Sequence, residues 1–292
     1  MKKLKKLLAL MIVMTMALGM IPFASAAFTD EEQIENAQAA EVLNKLGVLM
    51  GYEDGSFGPN RTITRAEAAA VMTRLVIGAE AAKTIESMNT PTTFSDVAPT
   101  HWASGLIMYC VAQGIIKGHG DGTFGPEDPV TTVQFTIMLL RVLGWGRNGE
   151  FEGDFYLVNA IAKGRELGIL SGTADWNAGA SRDSMAGYAF TALFIDRVFF
   201  SSDTQEYTTV RAPGNTLIGN LAEHVFGLAS EYDRDDFGRP ARKWMLDEEA
   251  IATFAFAPDA TWAKGIDDTD ILLDLGYITR VSGNHGPRDA FL

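Results

Sequence analysis

The feature that most constrains the fold of this chain is a unit that occurs three times along it. In the first copy, residues 51–59 read Gly-Tyr-Glu-Asp-Gly-Ser-Phe-Gly-Pro and residues 63–67 read Ile-Thr-Arg-Ala-Glu. In the second copy, residues 118–126 read Gly-His-Gly-Asp-Gly-Thr-Phe-Gly-Pro and residues 130–134 read Val-Thr-Thr-Val-Gln. Internal repetition of this kind is typical of repeat architectures, in which each unit packs against its neighbours.

The third copy matches the other two less closely. Its turn region, residues 172–177, lacks the Asp-Gly pair and the proline of the other copies and is about four residues shorter. Residues 180–184 then read Ala-Ser-Arg-Asp-Ser, so the arginine of the first copy returns while its glutamate does not. One apolar phrase precedes all three copies, at 46–51, 113–118 and 167–172. The shortened turn argues against a ligand pocket at the third unit.

Two Asp-Gly pairs, at Asp54 and at Asp121, favour tight turns with a positive φ at the glycine. They also resemble part of a calcium loop, but the twelve-residue ligand series that ends in glutamate is absent, so a turn is the preferred interpretation. The four histidines are scattered, without the spacing of a metal site. We therefore expect no metal and no cofactor.

Two residue pairs mark helix starts. Thr64 with Glu67, and Thr131 with Gln134, have the spacing of a capping box, in which each side chain bonds the backbone N–H of the other residue. Apolar residues at helical spacing follow both pairs. We assign Thr64, Glu67, Thr131 and Gln134 a capping role.

An arginine in the first turn of a helix is unusual. Arg65 opposes the helix dipole there, at a cost of about 0.3–1 kcal/mol, whereas a guanidinium beside free helix N–H groups would suit an anion. Arg182 has the same place in the third unit, and Thr132 has it in the second. The alternative interpretation is a solvated arginine or a salt bridge to a neighbouring unit.

These motifs resemble the S-layer homology family of bacterial cell-surface proteins. The resemblance rests on the turn at 51–59 and its copy at 118–126, on Thr-Arg-Ala-Glu at 64–67, and on Phe-Ser-Asp-Val at 94–97 with His-Trp-Ala at 101–103. It covers about residues 28–200. It implies a mainly α fold of three helix–loop–helix repeats in a pseudo-threefold bundle. It also implies binding of secondary cell-wall polysaccharide, often pyruvylated, in the grooves between repeats.

The resemblance implies that Arg65 and Arg182 bind a carboxylate of the polymer. Thr132 can donate a hydrogen bond but cannot pair a charge, so its groove should be weaker or select neutral groups. Trp102 could stack on a sugar ring or pack between units. Three glycines could let the backbone approach a ligand or could serve turn geometry alone; they are Gly51, Gly114 and Gly118.

The first 26 residues read as a secretory signal. Four lysines precede an apolar run from Leu7 to Met20, and Ala24-Ser25-Ala26 is a small-residue cleavage site. The alternative is a retained membrane anchor, against which the cleavage triplet argues. The mature protein is therefore expected to be exported, to the cell wall or surface, with no membrane partner after cleavage.

Charge restricts the partners. Removing four lysines with the signal takes the formal charge from −13 to −17, so nucleic acid is a poor partner. An anionic wall polymer would be repelled overall and would have to be held by local cationic sites. The one cysteine, Cys110, excludes an intrachain disulfide, and its apolar helical setting predicts a buried, unreactive thiol.

The domain prediction is a signal at 1–26, repeats at 27–91, 92–149 and 150–201, and a small α+β segment of unknown function at 202–292. Helices are expected at about 31–46, 64–78, 101–112, 131–144 and 181–199. A linker with about one helical turn is expected at 79–92, a strand at 207–210 and a helix at 217–228.

The leading functional hypothesis is non-catalytic anchoring to the wall. A wall hydrolase with its activity in the C-terminal segment is one alternative, although no catalytic carboxylate pair, metal set or serine-elbow motif is found in the sequence. An S-layer lattice subunit is the other. The polymer's sugar and the oligomeric state are left open.

Overall fold

The computed structural model describes residues 28–171, 176–211, 216–217, 219–235, 238–255, 258–261 and 279–281. The predicted signal at 1–26 lies outside these residues. Within them the protein is mainly helical, with short antiparallel sheets in its C-terminal part.

The described residues contain eight α-helices, and six of them form pairs, with one pair in each repeat unit. They are α1 Ala37–Lys45, α2 Arg65–Ile77, α3 Ala79–Glu86, α4 Ser104–Ala112, α5 Thr132–Val142, α6 Tyr156–Glu166, α7 Arg182–Leu193 and the short α8 Leu221–His224. Units one, two and three contain α1/α2, α4/α5 and α6/α7.

The strands follow the third unit. They are β1 Phe199–Ser201, β2 Glu206–Thr208, β3 Val210–Arg211, β4 Thr216–Leu217, β5 Ala229–Arg234, β6 Pro240–Leu246, β7 Glu249–Ala255, β8 Pro258–Thr261 and β9 Thr279–Val281. β5, β6 and β7 form an antiparallel sheet in that order, and the others pair as β1–β2, β3–β4 and β8–β9.

Each first helix ends at a glycine, as the sequence predicts. Gly47, Gly114 and Gly168 follow α1, α4 and α6 with φ values of +67°, +70° and +72°. This left-handed conformation is the usual helix stop and favours glycine.

Both predicted capping boxes are present. The Thr64 hydroxyl accepts from Glu67 N at 3.2 Å, and the Glu67 carboxylate accepts from Thr64 N at 2.9 Å. Thr131 and Gln134 do the same at 3.3 and 3.0 Å. In the third unit Ser181 caps α7 alone, without a reciprocal bond.

The Asp-Gly turns are closed by their aspartates. Asp54 accepts from Ser56 N and Oγ at 2.9 and 2.6 Å, and Asp121 accepts from Thr123 N and Oγ1 at the same distances. The following glycines, at 55 and 122, have φ values of +79° and +90°, as the turn type requires.

A second aspartate ties each turn to the opening of its unit. Asp96 accepts from Phe124 N and Gly125 N at 2.8 and 2.7 Å, and Asp30 makes the equivalent bonds at the turn of unit one. Burial raises the pKa of both carboxyls, but the backbone N–H bonds lower it more, so each pKa lies below the ordinary value. The Phe-x-Asp openings therefore hold the turns in place.

The units are joined in a cycle at the starts of their second helices. The first two N–H groups of α2, α5 and α7 all donate to carbonyls in the turn region of another unit. The bonds are Arg65 N to Asp128 O, Ala66 N to Pro126 O, Thr132 N to Ala178 O, Val133 N to Trp176 O, Arg182 N to Arg61 O and Asp183 N to Pro59 O, all at 2.9–3.1 Å. Unit one thus contacts unit two, unit two contacts unit three, and unit three contacts unit one.

Helix packing closes the same cycle. α2 packs against α4 and α5, and α7 packs against α1 and α5. At the contact with α1, the Asp183 carboxylate accepts from Asn36 N and Nδ2 at 2.9 and 2.6 Å. The core between the helices contains Phe57, Phe124, Phe135, Leu43, Met72 and Leu106, all fully buried. Cys110 is also buried, as predicted, and this burial raises the pKa of its thiol to about 12.

Two helix predictions in the repeats are wrong. The helix expected at 31–46 is a 3-10 turn, Glu31–Gln33, followed by α1, which begins only after the residue that Asp183 binds. The helix expected at 181–199 ends at Leu193, because the aromatic residues after it pair as β1 in a hairpin with β2.

Other bounds also differ from expectation. The linker at 79–92 contains the eight-residue α3, which its alanines favour. The helix expected at 217–228 is only α8, because Gly219 and Gly227 adopt positive φ on either side of it. The strand expected at 207–210 is divided between β2 and β3. The predicted boundary at 201/202 falls inside the β1–β2 hairpin.

Candidate functional site

Arg65 is the first residue of α2 and lies in the turn region of unit two. Its Nε donates to Phe124 O at 2.8 Å, and its Nη2 donates to Lys117 O at 2.7 Å. The guanidinium carbon lies 4.6 Å from the centroid of the Phe124 ring. The side chain is only 8% exposed. Arg65 therefore connects two separate segments of the neighbouring unit.

Arg182 repeats this arrangement at the first residue of α7. Its Nε donates to Phe57 O at 2.8 Å and its Nη2 to Met50 O at 2.6 Å, both in unit one. The Phe57 and Tyr52 rings lie 4.9 and 4.8 Å from its guanidinium carbon. Each arginine thus enters the turn region of a different unit, and each of these turns has the full nine-residue motif.

Thr132, the equivalent residue of unit two, is next to the turn region of unit three. Its backbone N–H donates to Ala178 O, in the shortened turn. Two irregularities of the sequence, the threonine in unit two and the short turn in unit three, therefore meet at one interface. A shortened turn has fewer backbone carbonyls that could accept from a guanidinium. Thr132 has no guanidinium, so it does not need these carbonyls.

Neither arginine pairs with a carboxylate of a described residue. Among the described residues, no carboxylate oxygen lies within 4 Å of either guanidinium, and the hydrogen bonds of both side chains go to backbone carbonyls. Desolvation lowers the pKa of both arginines. A buried cation without a counter-ion is costly, and such a site favours an incoming anion.

One terminal nitrogen of each arginine is left for a ligand. Nη1 makes no hydrogen bond to a described residue. It is also not sealed from solvent, because Trp145 Nε1 is the one fully buried unpaired side-chain nitrogen or oxygen in the described part of the chain. The guanidinium is therefore fixed by two bonds while part of it stays accessible.

A groove of about 330 Å³ lies beside Arg65, and we call it the Arg65 groove. Its charged lining residues are Arg65, Lys117, Arg141 and Glu152, and Gln134 also lines it. Lys117 Nζ lies 2.5 Å from a Glu152 carboxylate oxygen, and this hydrogen bond lowers the pKa of Glu152. With three cations and one acid, the lining residues of the groove carry a net positive charge in an acidic protein.

The corresponding surface of unit one differs in its charge. A cavity of about 450 Å³, which we call the Arg74 cavity, is lined by Gly47, Met50, Arg74, Ala79, Glu80, Lys83, Glu86 and Ser87. Arg74 pairs with Glu86 at 3.3 Å. Met50 occupies the position of Lys117 and is 54% exposed. Two cations and two acids leave this cavity without net charge.

The prediction that free helix N–H groups accompany the arginines is wrong. The first two N–H groups of α2, α5 and α7 donate to carbonyls of a neighbouring unit, and the third is capped by Thr64, Thr131 or Ser181. The physical reason is the cyclic contact between units, which the spacing of residues within one unit does not reveal. Side-chain cations are what the grooves offer to an anion.

The glycines are explained by packing and turn geometry. A side chain at Gly51 would lie 2.8 Å from the Phe28 ring, and one at Gly118 would collide with the Phe94 ring. Gly114 needs its positive φ and lies next to Arg147, whose Nη1 is 3.5 Å from where a Cβ would be. Backbone approach to a ligand stays a prediction at these positions.

Trp102 is a partly exposed ring away from the Arg65 groove. It is 43% exposed and stacks on His101, with ring centroids 5.9 Å apart. His101 in turn lies 3.7 Å from Glu127. Trp102 is not among the residues that line the Arg65 groove, so its proposed contact with the polymer would require a ligand that extends beyond it.

Sequence reasoning missed the residues that make the Arg65 groove positive. Arg141 donates through Nη1 to Ile115 O at 3.2 Å, and Arg74 is placed in the same way against Val48 O at 3.5 Å. Each arginine comes ten residues after its capping threonine, at 64 and 131. This second repeated arginine was the signal that could have identified them.

Within the described residues, no group of three or more His, Cys, Asp or Glu side chains could hold a metal ion. A search of the same residues finds no helix with the length and apolar character that crossing a membrane requires.

Comparison with known proteins supports the assignment of repeat units one and two. The S-layer homology domain profile matches residues 27–69 and 93–131. "Cell surface glycoprotein 1" of Acetivibrio thermocellus is 39% identical over 116 residues, which cover 38% of this chain and 5% of the relative. The "Cellulosome-anchoring protein" of the same organism is 35% identical over 130 residues, 40% of this chain and 28% of the relative.

A third relative, an "Endoglucanase" of Bacillus sp. (strain KSM-635), is 32% identical over 186 residues, which cover 60% of this chain and 20% of the relative. The chain thus spans less than a third of each of these three proteins. The family match and the names of the relatives indicate a location at the cell surface or cell wall.

Proposed function

Since this chain is an S-layer homology domain protein of the cell surface, we propose that it anchors itself to the cell wall without catalysis, by binding secondary cell-wall polysaccharide between its repeats. The name of one relative, a cellulosome-anchoring protein, supports an anchoring role. The single observation that carries the proposal is the Arg65 groove, where a buried guanidinium without a carboxylate partner meets two further cations.

We also infer that the three units form a pseudo-threefold bundle. The support is the cyclic order of the contacts at the helix starts, from unit one to two, two to three and three to one. In such a ring each groove takes its arginine from one unit and its walls from the next. The two intact grooves would then be those of Arg65 and Arg182, and the Thr132 interface would be the weakest.

The ligand that we propose is acidic, with a carboxylate such as a pyruvyl ketal. In this proposal a carboxylate accepts from Arg65 Nη1 and from Lys117, which both line the groove, and charge-assisted bonds of this kind are the strong ones. One such bond contributes about 1.5–3 kcal/mol. The mature chain is acidic overall, so these local contacts, and not long-range attraction, would hold the polymer.

The test is a pull-down of the full chain with purified wall sacculi, before and after the secondary polysaccharide is extracted. We expect binding to intact sacculi and its loss after extraction. Equal binding to extracted sacculi would show that another wall component is recognised. A parallel assay with Lys117→Glu, which removes the net positive charge of the groove lining, should weaken binding to intact sacculi only.

A wall hydrolase is the second candidate, because one relative is named an endoglucanase. The aligned part covers a fifth of that protein, so its name does not locate the activity. A zymogram on wall material separates the two functions: a cleared band at the size of this chain would favour the hydrolase.

A further inference from the structure

Three arginines donate to alternate carbonyls of one short segment, residues 113–117. Arg65 Nη2 binds Lys117 O at 2.7 Å, Arg141 Nη1 binds Ile115 O at 3.2 Å, and Arg147 Nη2 binds Gln113 O at 3.3 Å. The segment thus orders three guanidiniums in a row. Only the first two line the Arg65 groove.

Arg147 belongs to a second cleft of about 480 Å³, which we call the Arg147 cleft. It is lined by Gln113, Val142, Leu143, Gly144, Arg147, Arg197, Val198, Phe199 and Phe200. Its charged lining residues are two arginines, and none of the acids in the described part of the chain lines it. Phe199 is 42% exposed, so the cleft combines positive charge with an accessible aromatic ring.

The cleft is built where the C-terminal segment docks on unit two. Val198 N donates to Leu143 O at 2.8 Å, and Arg197 is held through its N–H and Nε by Gly219 O at 3.0 and 3.3 Å. On the adjoining side, the Trp145 and Tyr207 rings pack with centroids 4.5 Å apart. The residues after the repeats are therefore part of the wall of this cleft.

Two acids in the segment that follows Arg147 have other partners. Glu152 pairs with Lys117, and Glu150 accepts from the Tyr207 hydroxyl and from Asn148 N. Desolvation is the main cause that lowers the pKa of Arg141, and the like charge of Arg147 lowers it further. Cations so close to one another favour a polyanion between them.

We propose that the Arg147 cleft is a second subsite for the same acidic polysaccharide, reached from the Arg65 groove past Arg141. This inference rests on the proposed function. An anionic residue of the polymer would occupy the Arg65 groove, and a later one would meet Arg147, with a sugar face against Phe199. The binding site would then take several sugars and include the first residues after the repeats.

The experiment measures the affinity of the full chain for two purified fragments of the secondary polysaccharide, one with a single charged repeat and one with several. Arg147→Gln should weaken binding of the long fragment about threefold to fivefold, the range of an exposed charge contact, and should leave the short fragment unchanged. Arg147→Gln with Phe199→Ala should weaken the long fragment further. The salt dependence of long-fragment binding should also decrease.

Arg234→Gln is the matched control. Arg234 is an exposed arginine on β5 that also donates to a carbonyl, Gly238 O at 3.1 Å, and its loss removes the same charge. If the wild-type chain binds neither fragment, the proposed function fails. If it binds both and Arg147→Gln behaves like Arg234→Gln, or weakens both fragments equally, the second subsite is refuted while the proposed function stands.

Discussion

The two arginine sites have the same pattern of hydrogen bonds, but different side chains lie next to them. Arg65 and Arg182 each join two carbonyls of a neighbouring unit with nearly the same distances. Beside Arg65 the next side chain is Lys117, whereas beside Arg182 it is Met50. The arginine is thus first a connection between units, and the fifth residue of the apolar phrase, Lys117 or Met50, determines the charge beside it.

The largest expected effect concerns stability, and it should be similar at both sites. Arg65→Ala and Arg182→Ala each leave one buried and one partly buried carbonyl unpaired and should lower the free energy of unfolding by about 2–4 kcal/mol. Denaturant unfolding measures this. Arg234→Ala, on the exposed face of β5, should change it by less than about 0.5 kcal/mol. A loss of stability in only one of the two variants would show that Arg65 and Arg182 do not have equivalent structural roles.

The next effect should separate the two grooves. Lys117→Met gives the Arg65 groove the residue of unit one and should weaken binding of the acidic polymer about fivefold. The reciprocal change, Met50→Lys, should strengthen binding, since it adds a cation next to Arg182. Isothermal titration with purified polysaccharide measures both. Equal affinities in all three proteins would mean that this position does not set selectivity.

A smaller effect should arise from the acid inside the Arg65 groove. Glu152 holds Lys117 at 2.5 Å and competes with a ligand carboxylate for it. Glu152→Gln should therefore strengthen polymer binding about twofold to threefold, the range of an exposed ion pair. The control is Glu166→Gln, which breaks a similar pair with Lys163 at 2.7 Å outside the groove. Weaker binding by Glu152→Gln would show that this carboxylate helps to position the ligand.

The smallest expected effect is a change in the pH dependence of stability, and it concerns the aspartates of the turns and not the residues of the grooves. The folded pKa values of Asp30 and Asp96 lie below the ordinary aspartate value. Their contribution to stability is therefore complete above the ordinary pKa, near 4, and is lost as the pH falls through the lowered folded pKa. Asp30→Asn and Asp96→Asn should each flatten the fall of melting temperature as the pH is lowered below about 4. An unchanged slope in both variants would contradict this role of the turn aspartates.

Local features of the fold were predictable from the sequence. Capping boxes, Asp-Gly turns and glycine stops depend on residues within a few positions of one another, so the spacing at Thr64 and Glu67 or the glycine at 114 is enough to predict them. The family resemblance of the units followed from the same motifs, and the comparisons confirm it for units one and two.

Contacts between units were not predictable in the same way. The partners of Arg65 lie 52 and 59 residues further along the chain, and those of Arg182 lie more than a hundred residues before it. Nothing within one unit indicates that its helix N–H groups are used by the next. The predicted end of α7 was wrong for a similar reason, because β1 forms by pairing with β2.

The comparison of native and carboxyl-reduced polysaccharide, titrated into the same full-length chain, tests whether buried guanidiniums hold an acidic glycan. Reduction converts each carboxylate to an alcohol and leaves the sugar backbone in place. We predict binding of the native polymer and a loss of affinity of at least about tenfold after reduction, since charge-assisted bonds to Arg65 and Lys117 become neutral ones. Equal affinity for the two polymers would contradict the account.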